Sequence, residues 1–247
     1  MGVTAGFLCI SFLSCTVFSG ERQIQKQEAI HVRREIDRKF LGAFGCLGGF
    51  ALWTLGVCFL DVQTIGPRES AVGFAAMNRF IHALTGVNMT LYTITDWLGL
   101  VPIGVALGFA VLGLTQWIRR KDIRKVDADI LLLGGFYIVV IGAYLFFETV
   151  VINYRPVLID GFLEASYPSS TTMLVMCVMP VAILQLKKRI PNQAVKHWVV
   201  GIIAVFIAFM VLGRFFSGVH WLSDIIGGGL LSAGLVLLYD ASCHLIQ

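Results

Sequence analysis

The chain has 247 residues, of which 57% are hydrophobic and 14% charged, with a formal charge of +4. That balance, with a mean hydropathy of +0.82, excludes an ordinary water-soluble domain. It also argues against a nucleic-acid partner, because the excess of positive charge is small and is confined to short clusters between apolar runs.

The first apolar run, 3–19, ends in small residues as a signal peptide does but lacks the basic start of one. It reads as an extra amphiphilic or spanning segment whose status the sequence leaves open. The polar stretch 20–39 has mixed charge and reads as a solvated helix on the cytoplasmic side. Six further runs, 40–60, 97–118, 130–153, 170–186, 198–213 and 222–243, approach or exceed the length needed to cross a hydrocarbon core. Inside a bilayer such runs must be helices, since backbone groups find no partner there except within the helix. The expected fold class is all-α: a polytopic membrane helix bundle with six core transmembrane helices plus the N-terminal segment. The chain divides on this reading into 1–39 and a membrane domain, 40–247.

Between the first two core spans, AVGFAAMNRFIHAL predicts an interfacial helix, with Arg79 and His82 read as surface residues. Asn88-Met89-Thr90 matches a glycosylation acceptor by a triplet that chance often supplies. Trp97 and Trp117 bracket the second span as interface anchors. In the last span, Gly227, Gly228 and Gly229 with Ala233 form a small-residue face that lets helices approach closely. The six cysteines, Cys9, Cys15, Cys46, Cys58, Cys177 and Cys243, are scattered singly and have no metal-ligand spacing.

Of the 19 Lys and Arg, 15 fall in 21–39, 119–125 and 187–196, which are alternate connections. The positive-inside rule makes those the cytoplasmic side. Only Arg68, Arg79, Arg155 and Arg214 fall on the other side. Three polar clusters are predicted to share that extracytoplasmic face. They are Arg155-Pro156 after the third span, Pro168-Ser169-Ser170-Thr171 opening the fourth, and Arg214, His220 and Asp224 between the fifth and sixth. Two guanidiniums suit bidentate contact with phosphate, and a helix start rich in hydroxyls favours an anion. Asp224, four residues after His220, is placed to take the Nδ1 proton and leave Nε2 as nucleophile or base. Such a set points to an oxyanion, most simply a phosphate ester.

The spacing Arg214-x5-His220-x3-Asp224 resembles the third signature of the type 2 phosphatidic acid phosphatase/haloperoxidase superfamily. Arg155-Pro156 is similar to the end of its first signature, K-x6-R-P, and Pro168-Ser169 to the start of its second, P-S-G-H. The resemblance covers about 40–245 and implies a membrane lipid phosphatase without metal or other cofactor. By position it makes His220 the nucleophile that forms a phosphohistidine, and Asp224 its orienter. It makes Arg155, Arg214 and the amides around Ser169 and Ser170 the phosphate-binding groups. The implied substrates are lipid phosphates such as phosphatidic acid, phosphatidylglycerophosphate or polyprenyl pyrophosphate. The sidedness suits a bacterial plasma membrane with an extracytoplasmic site, and a lumenal site in an internal eukaryotic membrane reads identically. The other implied readings are a phosphotransferase to an acceptor alcohol, and a non-catalytic lipid-phosphate binder or flippase-like protein.

Four positions depart from the signatures. Glu148 stands where the family has Lys, Ser170 where it has the Gly of the second signature, Thr171 where it has the His that protonates the leaving group, and Gly213 replaces the leading Ser. Glu148 is read either as a structural ion-pair partner of Arg155, two helical turns away, or as a substitute proton donor. The role of Thr171 stays open, since a hydroxyl is no acid near neutral pH.

Overall fold

In the computed structural model the described backbone covers residues 4–246, with side chains described from residue 26 on, apart from 29. The expected segment 3–19 and the cysteines Cys9 and Cys15 therefore fall outside the residues whose side chains are described. Eight α-helices follow in order: α1 (Thr4–Phe59), α2 (Ala75–Thr85), α3 (Met89–Leu98), α4 (Leu100–Arg120), α5 (Ala128–Thr149), α6 (Ser170–Arg189), α7 (Gln193–Phe216) and α8 (Leu222–Leu245). Among the described residues there is no strand, only isolated bridges in the loops. Six candidate spans are long and apolar enough to cross a membrane, with α3 and α4 counted as one, and they match the six expected core runs. This is an all-α membrane bundle.

The helix α1 continues without a break through position 40, where the sequence placed a boundary. The predicted interfacial helix is α2, and α3 is a short helix leading into α4 at Gly99. Asn88, in the glycosylation-like triplet, caps α3 by accepting the Leu91 amide at 2.9 Å.

α6 and α8 form the centre of the bundle. Of the apolar windows, 50% of α6 and 56% of α8 is buried, against 17–22% of the other spans. Their shared core includes Met173, Cys177, Val181, Leu231, Leu235 and Tyr239. Cys177 and Cys243 thus behave as small core hydrophobes. The outer helices turn large apolar side chains outward, among them Ile138, Val205 and Ile202, as lipid-facing surfaces do.

Small residues let α8 sit this close. A Cβ on Gly234 would come within 2.7 Å of Leu47 in α1, and one on Gly227 within 2.6 Å of the Tyr167 ring. The glycine run therefore serves packing. At the other end of the bundle the basic clusters are paired: Lys39 with Asp240 at 3.0 Å, Arg120 with Asp127 at 2.8 Å, and Arg189 with Asp129 at 3.3 Å.

Candidate active site

The end opposite the basic clusters gathers the loop 150–169, the start of α6 and the turn joining α7 to α8. This convergence is the one expected from the three polar clusters. His220 lies in the turn, before α8 begins, and Gly218 makes that turn with φ +65. A Cβ on Gly218 would stand 1.8 Å from the Gly86 carbonyl oxygen, so no larger residue fits there.

Because His220 precedes the helix, the i, i+4 register expected for His220 and Asp224 does not apply, and Asp224 does not contact the imidazole directly. Ser166 stands between them. Its Oγ donates to Asp224 Oδ2 at 2.5 Å and lies 3.0 Å from His220 Nδ1. A carboxylate only accepts, so it takes the single hydroxyl proton and Oγ accepts from Nδ1–H. That tautomer leaves the Nε2 lone pair free, and Nε2 is buried without a partner.

Asp224 is itself fully held. Oδ2 also accepts the Trp221 amide at 3.0 Å, and Oδ1 accepts from Asn153 Nδ2 and Ser223 Oγ, each at 3.2 Å. Asn78, from α2, donates to Ser223 Oγ at 2.9 Å and accepts the Ser223 amide at 3.1 Å. Buried polar groups left unpaired would cost about 1–3 kcal/mol each, so this closed network fixes the turn. His82 takes part as well. It is half-buried, its Nε2 lies 3.1 Å from the Gly218 carbonyl oxygen, and it packs on Trp221, which corrects the expectation of a plain surface residue.

Arg155 and Arg214 are brought to one place. The ring of Tyr92, in α3, lies 5.7 Å from the Arg155 guanidinium carbon and 4.9 Å from that of Arg214. Arg214 is 1% exposed, and its Nη2 donates to Asp96 Oδ1 and to Thr171 Oγ1, both at 2.7 Å. Its Nε and Nη1 have no partner, nor do Nε and Nη1 of Arg155. Arg155 Nε lies 3.1 Å from Glu164 Oε2, off the line a hydrogen bond requires. Burial and the two guanidiniums hold the His220 imidazole well below its usual titration range, so it is neutral near pH 7.

Glu148 is not the partner of Arg155. α5 ends at Thr149, so the two-turn register is lost, and Glu164 takes the contact while Glu148 is exposed. Ser169 is also placed differently from expectation. Its amide is spent on the Asp224 carbonyl oxygen at 3.0 Å, and its Oγ accepts from Thr172 at 3.0 Å. The amides remaining for an anion are those of Ser170 and its successors in the first turn of α6, which has no side-chain cap. Gly213, in place of a Ser, has a plain cause. A Cβ there would meet Thr95 Cγ2 of α3 at 2.6 Å, closer than a helix contact allows.

Ser166, Asn153, Asn78, Tyr92 and Asp96 were not found by sequence reasoning. The one signal available was a polar residue on an otherwise apolar helix face, as at Asn78 in AVGFAAMNRFIHAL.

The fold and site define an integral membrane helix bundle, at one end of which Arg155, Arg214 and His220 carry buried nitrogens without hydrogen-bond partners. The chain belongs to the PAP2 superfamily, whose family pattern matches residues 104–242. It is 39% identical over 75 residues to phosphatidylglycerophosphatase B of Bacillus subtilis (strain 168), covering 30% of this chain and 36% of that protein. The chain thus matches about a third of the length of that relative. The crystal structure of the first transmembrane PAP2 type phosphatidylglycerolphosphate phosphatase from Bacillus subtilis aligns with a TM-score of 0.49 at 21% identity, over 83% of this chain and 98% of that one.

Proposed function

We propose that this protein, in its membrane domain 40–247, is a lipid phosphatase that works through a phosphohistidine on His220, at the extracytoplasmic face. The observation carrying this reading is the cluster of buried nitrogens without partners: Nε and Nη1 of Arg155, Nε and Nη1 of Arg214, and Nε2 of His220. The four guanidinium nitrogens are donors, costly to leave unpaired when buried, and phosphoryl oxygens would accept from them while phosphorus faces the Nε2 lone pair. Arg155, Arg214 and the free amides from Ser170 onward bind its oxygens, while Nε2 attacks phosphorus. The imidazole gains positive charge as the N–P bond forms, and the Asp224 carboxylate stabilises it through Ser166. Water then attacks the phosphohistidine and releases inorganic phosphate. Asp96 and Thr171 hold Arg214 in place, and the incoming phosphate competes with Asp96 for it.

The basic clusters at the opposite end support this face, since the positive-inside rule favours the cytoplasm for such clusters. Phosphate release from a panel of lipid phosphates, alongside His220→Ala, tests the reading. Phosphate release is expected from the wild type and from none of the variant samples. Equal release by both disproves the role of His220, and tight phosphate binding without turnover marks a non-catalytic binder. Capture of labelled phosphate on an added alcohol instead of water marks a phosphotransferase.

A further inference from the structure

Two departures from the family signatures, Gly213 and Thr171, meet at Arg214, and their meaning rests on the phosphatase reading above. Thr171 stands where the leaving group's proton donor is expected, and its hydroxyl accepts from Arg214 Nη2 at 2.7 Å. A hydroxyl is no acid near neutral pH, yet an alkoxide expelled from a phosphate ester needs a proton. Gly213 admits a carboxyl to the same place. Thr95 of α3 is fully buried there, and a Cβ at 213 would stand 2.6 Å from its Cγ2. That close approach docks α3 on α7, so the next residues of the two helices, Asp96 and Arg214, also meet. Asp96 Oδ1 accepts from Arg214 Nη2 at 2.7 Å, which makes the carboxyl and the Thr171 hydroxyl neighbours across one nitrogen.

The Arg214 side chain is 1% exposed, whereas that of Asp96 is 58% exposed. With Ser170 and Thr171, Asp96 lines the site end of a cavity of about 760 Å³ between α4, α5 and α6. An ester oxygen joins the phosphoryl group to the apolar remainder of a lipid, so it belongs at that border. Among the described residues, the other carboxyls near the site are placed otherwise. Asp224 is filled by four hydrogen bonds on the Nδ1 side of the imidazole. Glu164 contacts Arg155, and Glu148 is exposed and pairs with neither guanidinium.

We propose that Asp96 is the catalytic proton donor to the leaving oxygen, in the role that Thr171 cannot fill. The proton enters with the substrate. A phosphate monoester loses its last proton at a pKa of about 6, so near neutral pH part of it still carries a P–OH. When phosphoryl oxygens take Arg214, the displaced Asp96 faces an anion instead of a cation, and two anions in contact share a proton. The P–OH proton passes to an Asp96 oxygen. His220 Nε2 then forms a bond to phosphorus as the bond from phosphorus to the lipid oxygen breaks. The electron pair stays on that oxygen, which takes the proton from Asp96 and leaves as an alcohol. Water next attacks the phosphohistidine and gives one proton to the Asp96 carboxylate. The N–P bond breaks, its electron pair returns to Nε2, and inorganic phosphate departs. Asp96 releases the proton as it returns to Arg214.

The test measures kcat in lipid nanodiscs for two kinds of ester. Phosphatidic acid and phosphatidylglycerophosphate have alkyl oxygens that need a proton to leave, and 4-nitrophenyl phosphate has a phenolate that does not. Wild type is compared with Asp96→Asn, Asp96→Asn/Thr171→His and His220→Ala. Asp96→Asn keeps the side chain's size and an oxygen for Arg214 Nη2, but its amide is no acid. It is expected to lower turnover of the alkyl esters about 100-fold, the lower end of what a general acid contributes, and of the aryl ester far less. Turnover of the aryl ester also shows that the variant folds. Adding Thr171→His places an imidazole beside the lost acid and is expected to raise the alkyl esters alone. An Asp96 that only neutralises Arg214 predicts equal losses, because the guanidinium holds the phosphoryl group of every ester. Equal losses, full alkyl-ester turnover by Asp96→Asn, or a double variant that raises both kinds of ester or neither overturns the proposal. No phosphate from any ester by wild type, or an active His220→Ala, overturns the phosphatase reading itself and the proposal with it.

Discussion

Ser166 Oγ joins the His220 imidazole to the Asp224 carboxylate, and under the proposed mechanism that bridge has measurable consequences at the residue scale. Ser166→Ala removes the bridge between imidazole and carboxylate, leaving Nδ1 and Asp224 Oδ2 without their shared partner. A fall in kcat of about 10- to 100-fold with little change in KM is expected, the usual cost of losing a supporting hydrogen bond. Ser166→Thr should restore part of it, and a loss that Thr fails to restore points to packing instead. The pH profile gives a second check. Under the proposed mechanism neutral His220 is the attacking form, and its surroundings hold it neutral well below the usual imidazole range. Its acid limb in kcat/KM should therefore lie below about 6.5, the ordinary imidazole value. Arg155→Gln removes one repelling charge and should move that limb upward, while the limb from the substrate's own phosphate stays put. For stability the sign is the same. Below about 6.5 the unfolded chain takes up a proton that the folded site refuses, so stability falls with pH. Glu148, exposed and away from Arg155, is expected to act as a surface residue. Glu148→Gln should change turnover by no more than about 2-fold on good and poor leaving groups alike. A selective loss on poor leaving groups would restore it as the proton donor.

At the scale of elements, the site depends on how closely α8 approaches the loop 150–169. Gly227→Ala puts a methyl within 2.6 Å of the Tyr167 ring, whose hydroxyl bonds Thr54 of α1 at 2.6 Å. Overpacking of this kind costs about 1–3 kcal/mol, and it bears on the segment carrying Ser166. Thermal unfolding in detergent should show a lower midpoint together with lost activity. Gly229→Ala is the control, since its nearest neighbour is Met176 at 3.9 Å and alanine favours the helix. Equal behaviour of the two variants would refute this account of the glycines.

At the scale of the whole molecule the prediction concerns sidedness. With all basic clusters at one end and the site at the other, an impermeant thiol reagent should label Glu69→Cys from outside and Lys121→Cys only in inverted vesicles. Both are measured on a background without the native cysteines. Labelling of Glu69→Cys from the inside alone would reverse the orientation and place His220 in the cytoplasm.

Much of this was legible in the chain itself, for a physical reason. A bilayer leaves an apolar run one conformation, so the spans and their helical state follow from composition and length. The charge distribution adds the expected order of the ends. Chemistry-bearing residues with few other uses in a membrane, Arg155, Arg214, His220 and Asp224, identified the meeting place. The partners of those residues depend on how helices end and turn. That α5 stops at Thr149 separates Glu148 from Arg155, and that His220 precedes α8 admits Ser166 between it and Asp224. Ser, Asn and Tyr occur everywhere in sequences, so only packing could single out Ser166, Asn78, Asn153 and Tyr92.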